Sequence, residues 1–129
     1  MRSSRAFAAE ARSIGAARRY VRDALRHRSR AHVDAIELML SELATNAVKH
    51  AHSDFKVSID DSGGEIRVEV RDTGRGQPVL RSPTPIEPSG RGLRIVEALS
   101  RAWGTVDSPH GKTVWFTLPT KATAAAETG

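Results

Sequence analysis

Apolar residues recur at every third or fourth position in two early stretches of the chain, the spacing of helices that bury one face. In Ser13–Arg28 the stripe includes Val21 and Leu25, and Ser13 is a candidate N-cap. The second stretch continues through Glu37–His52, and Asp34 with an acid three residues later fits a variant of the capping box. The pattern predicts two consecutive helices joined by a polar connection.

Elsewhere apolar and polar residues alternate, which predicts half-buried strands. Two hairpins follow from this alternation and from Gly-containing turns between its segments. A short edge strand is predicted near the beginning of the chain. The predicted strands are Ser3–Ala9, Phe55–Asp60, Ile66–Arg71, Trp103–Val106 and Thr113–Leu118.

A third helix is predicted at Leu93–Ala102, directly after the triplet Gly90-Arg91-Gly92. Glycines at a helix N-terminus let backbone N–H groups approach an anion closely. Before this helix, Gln77–Ser89 contains four prolines and no periodicity, so it is predicted to be a functional or mobile loop. Residues Lys121–Gly129 are predicted to form a frayed tail after a single domain at 1–120.

Composition narrows the class of protein. The chain has 129 residues, enough for one domain with a real core, and it lacks cysteine, which excludes disulfides and thiolate metal sites. No apolar run is long enough to cross a bilayer, and Met1–Glu10 lacks the apolar centre of a signal peptide. We therefore expect a cytoplasmic protein that does not contact membranes.

The chain is basic, with a formal net charge of +5. Six arginines between Arg18 and Arg30 could attract nucleic acid, but no spaced aromatic residues accompany them as a stacking platform. A solvated helix face, or a docking surface for an acidic protein, explains them better than nucleic-acid binding.

The helix at Glu37–His52 also carries a polar face. Glu42, Asn46 and Lys49 are spaced by four and three residues, which places them on one side of a helix, with His50 beside them. Such a face could be solvated, or it could hold a cation and an anion.

Three motifs in order resemble the GHKL superfamily, which has the Bergerat ATP-binding fold. SELATNAVKHA at Ser41–Ala51 is similar to its N box, VRDTGRG at Val70–Gly76 to its first glycine box, and GRGLRIVEALS at Gly90–Ser100 to its second. The stand-alone bacterial anti-sigma factor serine/threonine kinases, such as RsbW and SpoIIAB, are the most similar branch. The resemblance implies an α+β sandwich: a mixed, mostly antiparallel sheet of four or five strands, covered on one face by three helices.

The resemblance also implies roles for residues of the N box, with ATP and Mg²⁺ as cofactors. Asn46 would be a magnesium ligand, sharing the ion with ATP phosphates and water. Glu42, one turn earlier, would be the catalytic general base that acts on the attacking hydroxyl. Lys49 would neutralise phosphate charge, although it could equally be a surface lysine.

The glycine boxes imply the rest of the nucleotide site. Asp72 would accept a hydrogen bond from the adenine amino group, Gly74 and Gly76 would let the backbone pass close to the base, and Thr113 would support the adenine contact. The segment at Gln77–Ser89 would be the lid. Under the triphosphate would lie Gly90, Arg91, Gly92 and Leu93.

The function implied is that of a kinase that phosphorylates a small anti-sigma-factor antagonist protein, and that could hold a sigma factor inactive. A non-catalytic ATP-gated binding module of the same fold is the alternative. Relatives of this branch often form homodimers, and the first helix and the Ser3–Ala9 strand offer surfaces for pairing.

Overall fold

The structure is a computed structural model that describes residues 1–72, 90–109 and 111–120, with side chains from Arg94 onwards in the second range. The described residues form five strands, three α-helices and one π-helical turn. In chain order they are β1 (Arg2–Phe7), α1 (Arg12–Ala24), α2 (Arg30–Thr45) with a π-helical turn (Asn46–His50), β2 (Phe55–Ser62), β3 (Glu65–Asp72), α3 (Gly90–Leu99), β4 (Ala102–Ser108) and β5 (Gly111–Pro119). The predicted loop Gln77–Ser89 and tail Lys121–Gly129 lie outside the described residues.

The five strands form one sheet in the order β1-β2-β3-β5-β4. All four pairings between them are antiparallel. The predicted α+β class, the five strands and the three helices are confirmed. The expectation that the sheet also contains parallel pairs is wrong, since every pair of neighbouring strands in the described residues is antiparallel. Two helices return the chain between β1 and β2, so these strands run in opposite directions. A single helix between β3 and β4 makes those two parallel, but β5 separates them.

The core lies between one face of the sheet and the helices. Side chains at alternate positions of β2 and β3, such as Val57 and Val68, point toward the helices and are fully buried. They pack with Ile36, Leu40 and other stripe residues of α2, which contacts both neighbouring helices and β3. The periodicities of the sequence therefore identified the buried face of each of these elements.

The ends of the first two helices differ from the prediction. Ser13 is not the N-cap of α1, because Glu10 and Ala11 already accept hydrogen bonds from the backbone N–H groups of Ser13 and Ile14, and Ser13 is buried. The helix therefore begins before Ser13.

Helix α2 begins without the predicted capping box. Ser29 is its N-cap, with extended backbone and a side-chain oxygen that accepts from the His32 N–H at 3.2 Å. Asp34 lies inside the helix, where its carboxylate is 4.0 Å from the Arg30 guanidinium. Helix α3 is shifted as well, since it begins at Gly90 and ends at Leu99.

Candidate nucleotide site

Glu42 and Asn46 lie in the last turn of α2 and at its C-cap. The Asn46 backbone N–H donates to the Glu42 carbonyl, so the two residues are stacked one helical turn apart. Both side chains are half-buried, and each makes at least one interaction within the protein. Neither Glu42 nor Asn46 is therefore without a partner in the protein.

A π-helical turn follows directly, at Asn46–His50. The Ala51 N–H donates to the Asn46 carbonyl at 2.9 Å, a bond that spans five residues instead of four. This wider turn changes the direction of residues beyond Asn46 relative to the regular helix that the sequence predicted. Lys49 and His50 are exposed, whereas Glu42 and Asn46 are partly covered. Lys49 consequently lies at the surface of this region.

Asp72 lies at the end of β3, on the face of the sheet that the helices cover. It is the last residue of the strand and pairs with Phe55 of β2, whose side chain is fully buried. Alternation along β3 puts Asp72 on the same face as the buried Val70. The carboxylate is half-buried, and it too has an interaction within the protein.

Gly111, at the start of β5, lies against Asp72 and was not among the residues predicted from the sequence. A β-carbon on Gly111 would be 2.6 Å from Oδ1 of Asp72 and would overlap the Asp72 backbone carbonyl. The missing side chain therefore leaves room for this carboxylate. The sequence offered only a glycine after a turn, which is normally explained by the turn itself.

Thr113 lies on the other face of the sheet. It pairs with Arg71 of β3, and directly opposed residues of an antiparallel pair point to the same side. Since Arg71 and Asp72 are consecutive in one strand, their side chains point in opposite directions. The register thus separates Thr113 from Asp72, contrary to the expectation that it supports the same contact.

The glycine boxes are only partly described. The second supplies the first turn of α3, formed by the backbones of Gly90, Arg91, Gly92 and Leu93, and α3 packs beside α2. Gly74 and Gly76 of the first box lie outside the described residues.

A buried and hydrogen-bonded carboxylate lies at the opposite end of β2 from Phe55. Asp61 is buried, and its carboxylate accepts two hydrogen bonds from Arg28, at 2.8 and 2.9 Å, and one from His27 at 2.9 Å. The hydrogen bonding by Arg28, opposed by burial and aided by His27, lowers the pKa of Asp61, and the same bond raises the pKa of Arg28. This cluster anchors the end of α1 to the sheet and is structural.

Residues 7–118 match the family model of the histidine kinase-like ATPase domain. The chain belongs to this ATPase family. The resemblance inferred from the three motifs is thereby confirmed, and the family supports ATP as the ligand of this chain.

A solved structure agrees with this assignment at the level of fold. The RsbU and RsbW domains of Rv1364c from Mycobacterium tuberculosis superpose with a TM-score of 0.72 and 20% sequence identity, over 92% of this chain and 32% of that chain. The ATPase chain thus spans about a third of the length of that structure. No curated protein sequence matches this chain. None of the helices described in the structure is long and apolar enough to cross a membrane.

The residues of this ATPase fit a nucleotide. The half-buried Asp72 carboxylate, which a side chain on Gly111 would displace, can accept a hydrogen bond from an amino group. The described residues contain no group of three or more His, Asp or Glu side chains able to hold a metal ion by themselves. A single amide oxygen such as that of Asn46 fits magnesium only when phosphate oxygens and water complete the shell.

Proposed function

We propose that this ATPase is a Mg-ATP-dependent kinase that phosphorylates a serine or threonine of a small anti-sigma-factor antagonist protein. Through that modification it would regulate transcription by partner switching, holding a sigma factor when the antagonist is phosphorylated. The observation that carries the proposal is the stacking of a half-buried Glu42 one turn before a half-buried Asn46. The resemblance of the whole chain to the anti-sigma factor kinases supports the choice of substrate class.

Each residue has a separate task in this proposal. Asp72 would hold the adenine end of the nucleotide by accepting a hydrogen bond, and the absence of a side chain on Gly111 leaves its carboxylate undisturbed. Asn46 would hold Mg²⁺, which supplies charge neutralisation to the phosphates when bound. Glu42 would accept the proton of the attacking serine or threonine hydroxyl. The first turn of α3 would present backbone N–H groups to the phosphates.

The alternative is a binding module that uses ATP only to change a partner surface. Both functions require Asp72 and Asn46, because both require the nucleotide. Only the kinase requires Glu42 as a base. This difference makes Glu42 the residue that separates the two functions.

The test combines ATP binding with transfer of labelled phosphate to candidate antagonist proteins. We expect Glu42→Gln to reduce transfer by at least about a hundredfold, the usual contribution of a general base, while Mg-ATP binding is retained. Glu37→Gln is a matched control, because Glu37 lies on the same helix and pairs with Arg22 through two hydrogen bonds at 2.9 and 3.0 Å. It should leave transfer unchanged.

Two results would decide against the kinase. Absence of transfer by the unmodified protein, despite measurable Mg-ATP binding, would favour the binding module. Equal transfer by Glu42→Gln and the unmodified protein would remove Glu42 from the role of base. Asp72→Asn should abolish nucleotide binding under either function, and retention of binding would contradict the assignment of the site.

A further inference from the structure

The sheet has a second face, on the side away from the three helices. Residues between the buried positions of β2 and β3 point to it, including Lys56, Glu69 and Arg71. No described element covers this open face. It therefore offers a surface separate from the nucleotide site.

Two acidic residues in the middle of the open face are already bonded to cations. Glu69 accepts a hydrogen bond from Arg67 at 2.9 Å, and Asp60 lies 3.5 Å from Arg2 in the neighbouring strand. The shallow depression between them, about 480 Å³ in volume, is lined by these paired charges. This part of the face is close to electrically neutral.

The end of the open face nearest Asp72 is different. Lys56 and Arg71 are directly opposite each other in the β2–β3 pair, and both side chains are exposed. Neither forms an ion pair with a carboxylate of the described residues. Glu69 lies two residues before Arg71 on the same face, but it bonds to Arg67 instead. Like charges in directly opposed positions destabilise a sheet, and no carboxylate of the described residues offsets this cost through an ion pair with Lys56 or Arg71.

Apolar surface lies beside these two cations. Thr113 is opposite Arg71, and Val106 is opposite Thr113 and 54% exposed. Two residue pairs further along, and on the same face, the indole of Trp115 lies over Gly104, where a β-carbon would be 2.9 Å from the ring. The Arg67 guanidinium is 4.3 Å from the centre of that ring. The indole is thus fixed flat on the sheet.

We propose that Lys56, Arg71 and the exposed apolar side chain of Val106 form a docking site for an acidic segment of a partner protein. Carboxylates of the segment would neutralise the two opposed cations, and an apolar side chain beside them would cover Val106. An acidic partner would remove the repulsion between Lys56 and Arg71, and this relief would add to the free energy of binding.

A protein suits this surface better than nucleic acid does. The Trp115 ring already has the Arg67 guanidinium 4.3 Å from its centre, so it is not free to stack on a base. The site also lies on the opposite face from Asp72, since Arg71 and Asp72 are consecutive in β3. The proposal therefore does not depend on the phosphotransfer reaction.

The test uses the ¹⁵N-labelled chain and a synthetic acidic peptide of glutamate, serine and leucine as the probe. We expect backbone amide shifts at Lys56 and Arg71, and a shift of the Trp115 indole N–H. The double substitution Lys56→Glu with Arg71→Glu should weaken peptide binding by about tenfold or more. The control is Arg19→Glu with Arg26→Glu, which makes the same change of charge on exposed side chains of α1 and of the turn that follows it. It should bind nearly as the unmodified chain does, and Mg-ATP binding checks that all variants are folded.

The single substitution Arg71→Glu provides a second readout. It puts a carboxylate opposite Lys56, so it should raise the melting temperature of the protein and lower its affinity for the peptide. A purely structural role for Arg71 would not link these two changes in opposite directions. Equal losses in the α1 control, peptide-induced shifts confined to α1, or tighter binding of duplex DNA than of the peptide at the same face would each overturn the proposal. Peptide-independent broadening of the same resonances with protein concentration would assign the face to a second copy of the chain instead.

Discussion

Gly111 and Asp72 approach each other so closely that a β-carbon on Gly111 would be 2.6 Å from Oδ1 of the Asp72 carboxylate. Real β-carbon contacts are not this short, so a side chain on Gly111 would displace the end of β3 or the carboxylate itself. Asp72 can keep this position because the facing residue of β5 is a glycine.

Gly111→Ala is expected to weaken Mg-ATP binding strongly, because the new methyl group occupies the space beside Asp72. Overpacking of this kind also destabilises by about 1–3 kcal/mol. Calorimetric titration with nucleotide and thermal unfolding measure the two effects. Gly15→Ala is the control: its β-carbon would meet only the end of Arg18, at 4.0 Å, and it should stabilise α1 by up to about 1 kcal/mol. Unchanged nucleotide affinity in Gly111→Ala would show that this contact does not shape the site.

Acid should weaken the fold through Asp61. Its pKa is lowered in the folded protein, chiefly by the hydrogen bond from Arg28. The stabilisation is therefore complete above the ordinary carboxyl pKa of about 3.9 and is lost as the pH falls through the lower, folded value. Asp61→Asn should lower the melting temperature at pH 7 and flatten its decline between about pH 4 and 2.

Urea unfolding at several pH values measures this dependence. Asp60→Asn is a suitable control. Asp60 is the neighbouring residue of β2, and its ion pair with Arg2, at 3.5 Å, is exposed and therefore weak. A decline of equal steepness in Asp61→Asn and the unmodified chain would assign the acid sensitivity to other carboxylates.

The N-cap of α2 can be checked by two alanine substitutions. Ser29→Ala removes the side-chain oxygen that accepts from the His32 N–H and should cost about 1 kcal/mol of unfolding free energy. Asp34→Ala, which would remove the cap expected from the sequence, should change stability by less than about 0.5 kcal/mol. Denaturant unfolding measures both. The reverse order of the two effects would mean that the helix begins at Asp34 in solution.

His52 ends the helical region with a backbone φ of 52°, in the left-handed region that glycine adopts more easily. His52→Gly should therefore be neutral or stabilising by up to about 1 kcal/mol, and His52→Val should destabilise. His50→Gly is the control, because His50 lies inside the π-helical turn, where glycine should cost about 1 kcal/mol. Destabilisation by glycine at both positions would indicate that the His52 side chain matters more than its backbone.

Local chemistry made much of this protein predictable. The alternation at Phe55, Val57 and Ile59 identified a half-buried strand because side chains of a strand point to opposite faces, and the structure buries all three. The positive φ values of Gly63 and Gly64 agree with the predicted tight turn between β2 and β3. The spacing of Glu42 and Asn46 likewise follows from helix geometry, which depends only on neighbouring residues.

Features that depend on distant parts of the chain could not be predicted in this way. The N-cap at Ser29 competes locally with Asp34, and the bond from His32 to the Pro119 carbonyl at 3.0 Å ties the beginning of α2 to the end of β5. The π-helical turn after Asn46 does not follow from the apolar spacing, which continues as if the helix were regular.

The sequence by itself determined the family and the order of helices and strands, because motifs and periodicity are local properties. It also predicted Glu42, Asn46 and Asp72 as polar residues of the nucleotide site. The tertiary structure decided which of the remaining residues share a face. Register between β3 and β5 placed Gly111 against Asp72 and turned Thr113 to the open face beside Arg71. Register depends on the pairing of strands that are far apart in the chain, and a shift of one residue would exchange the two faces.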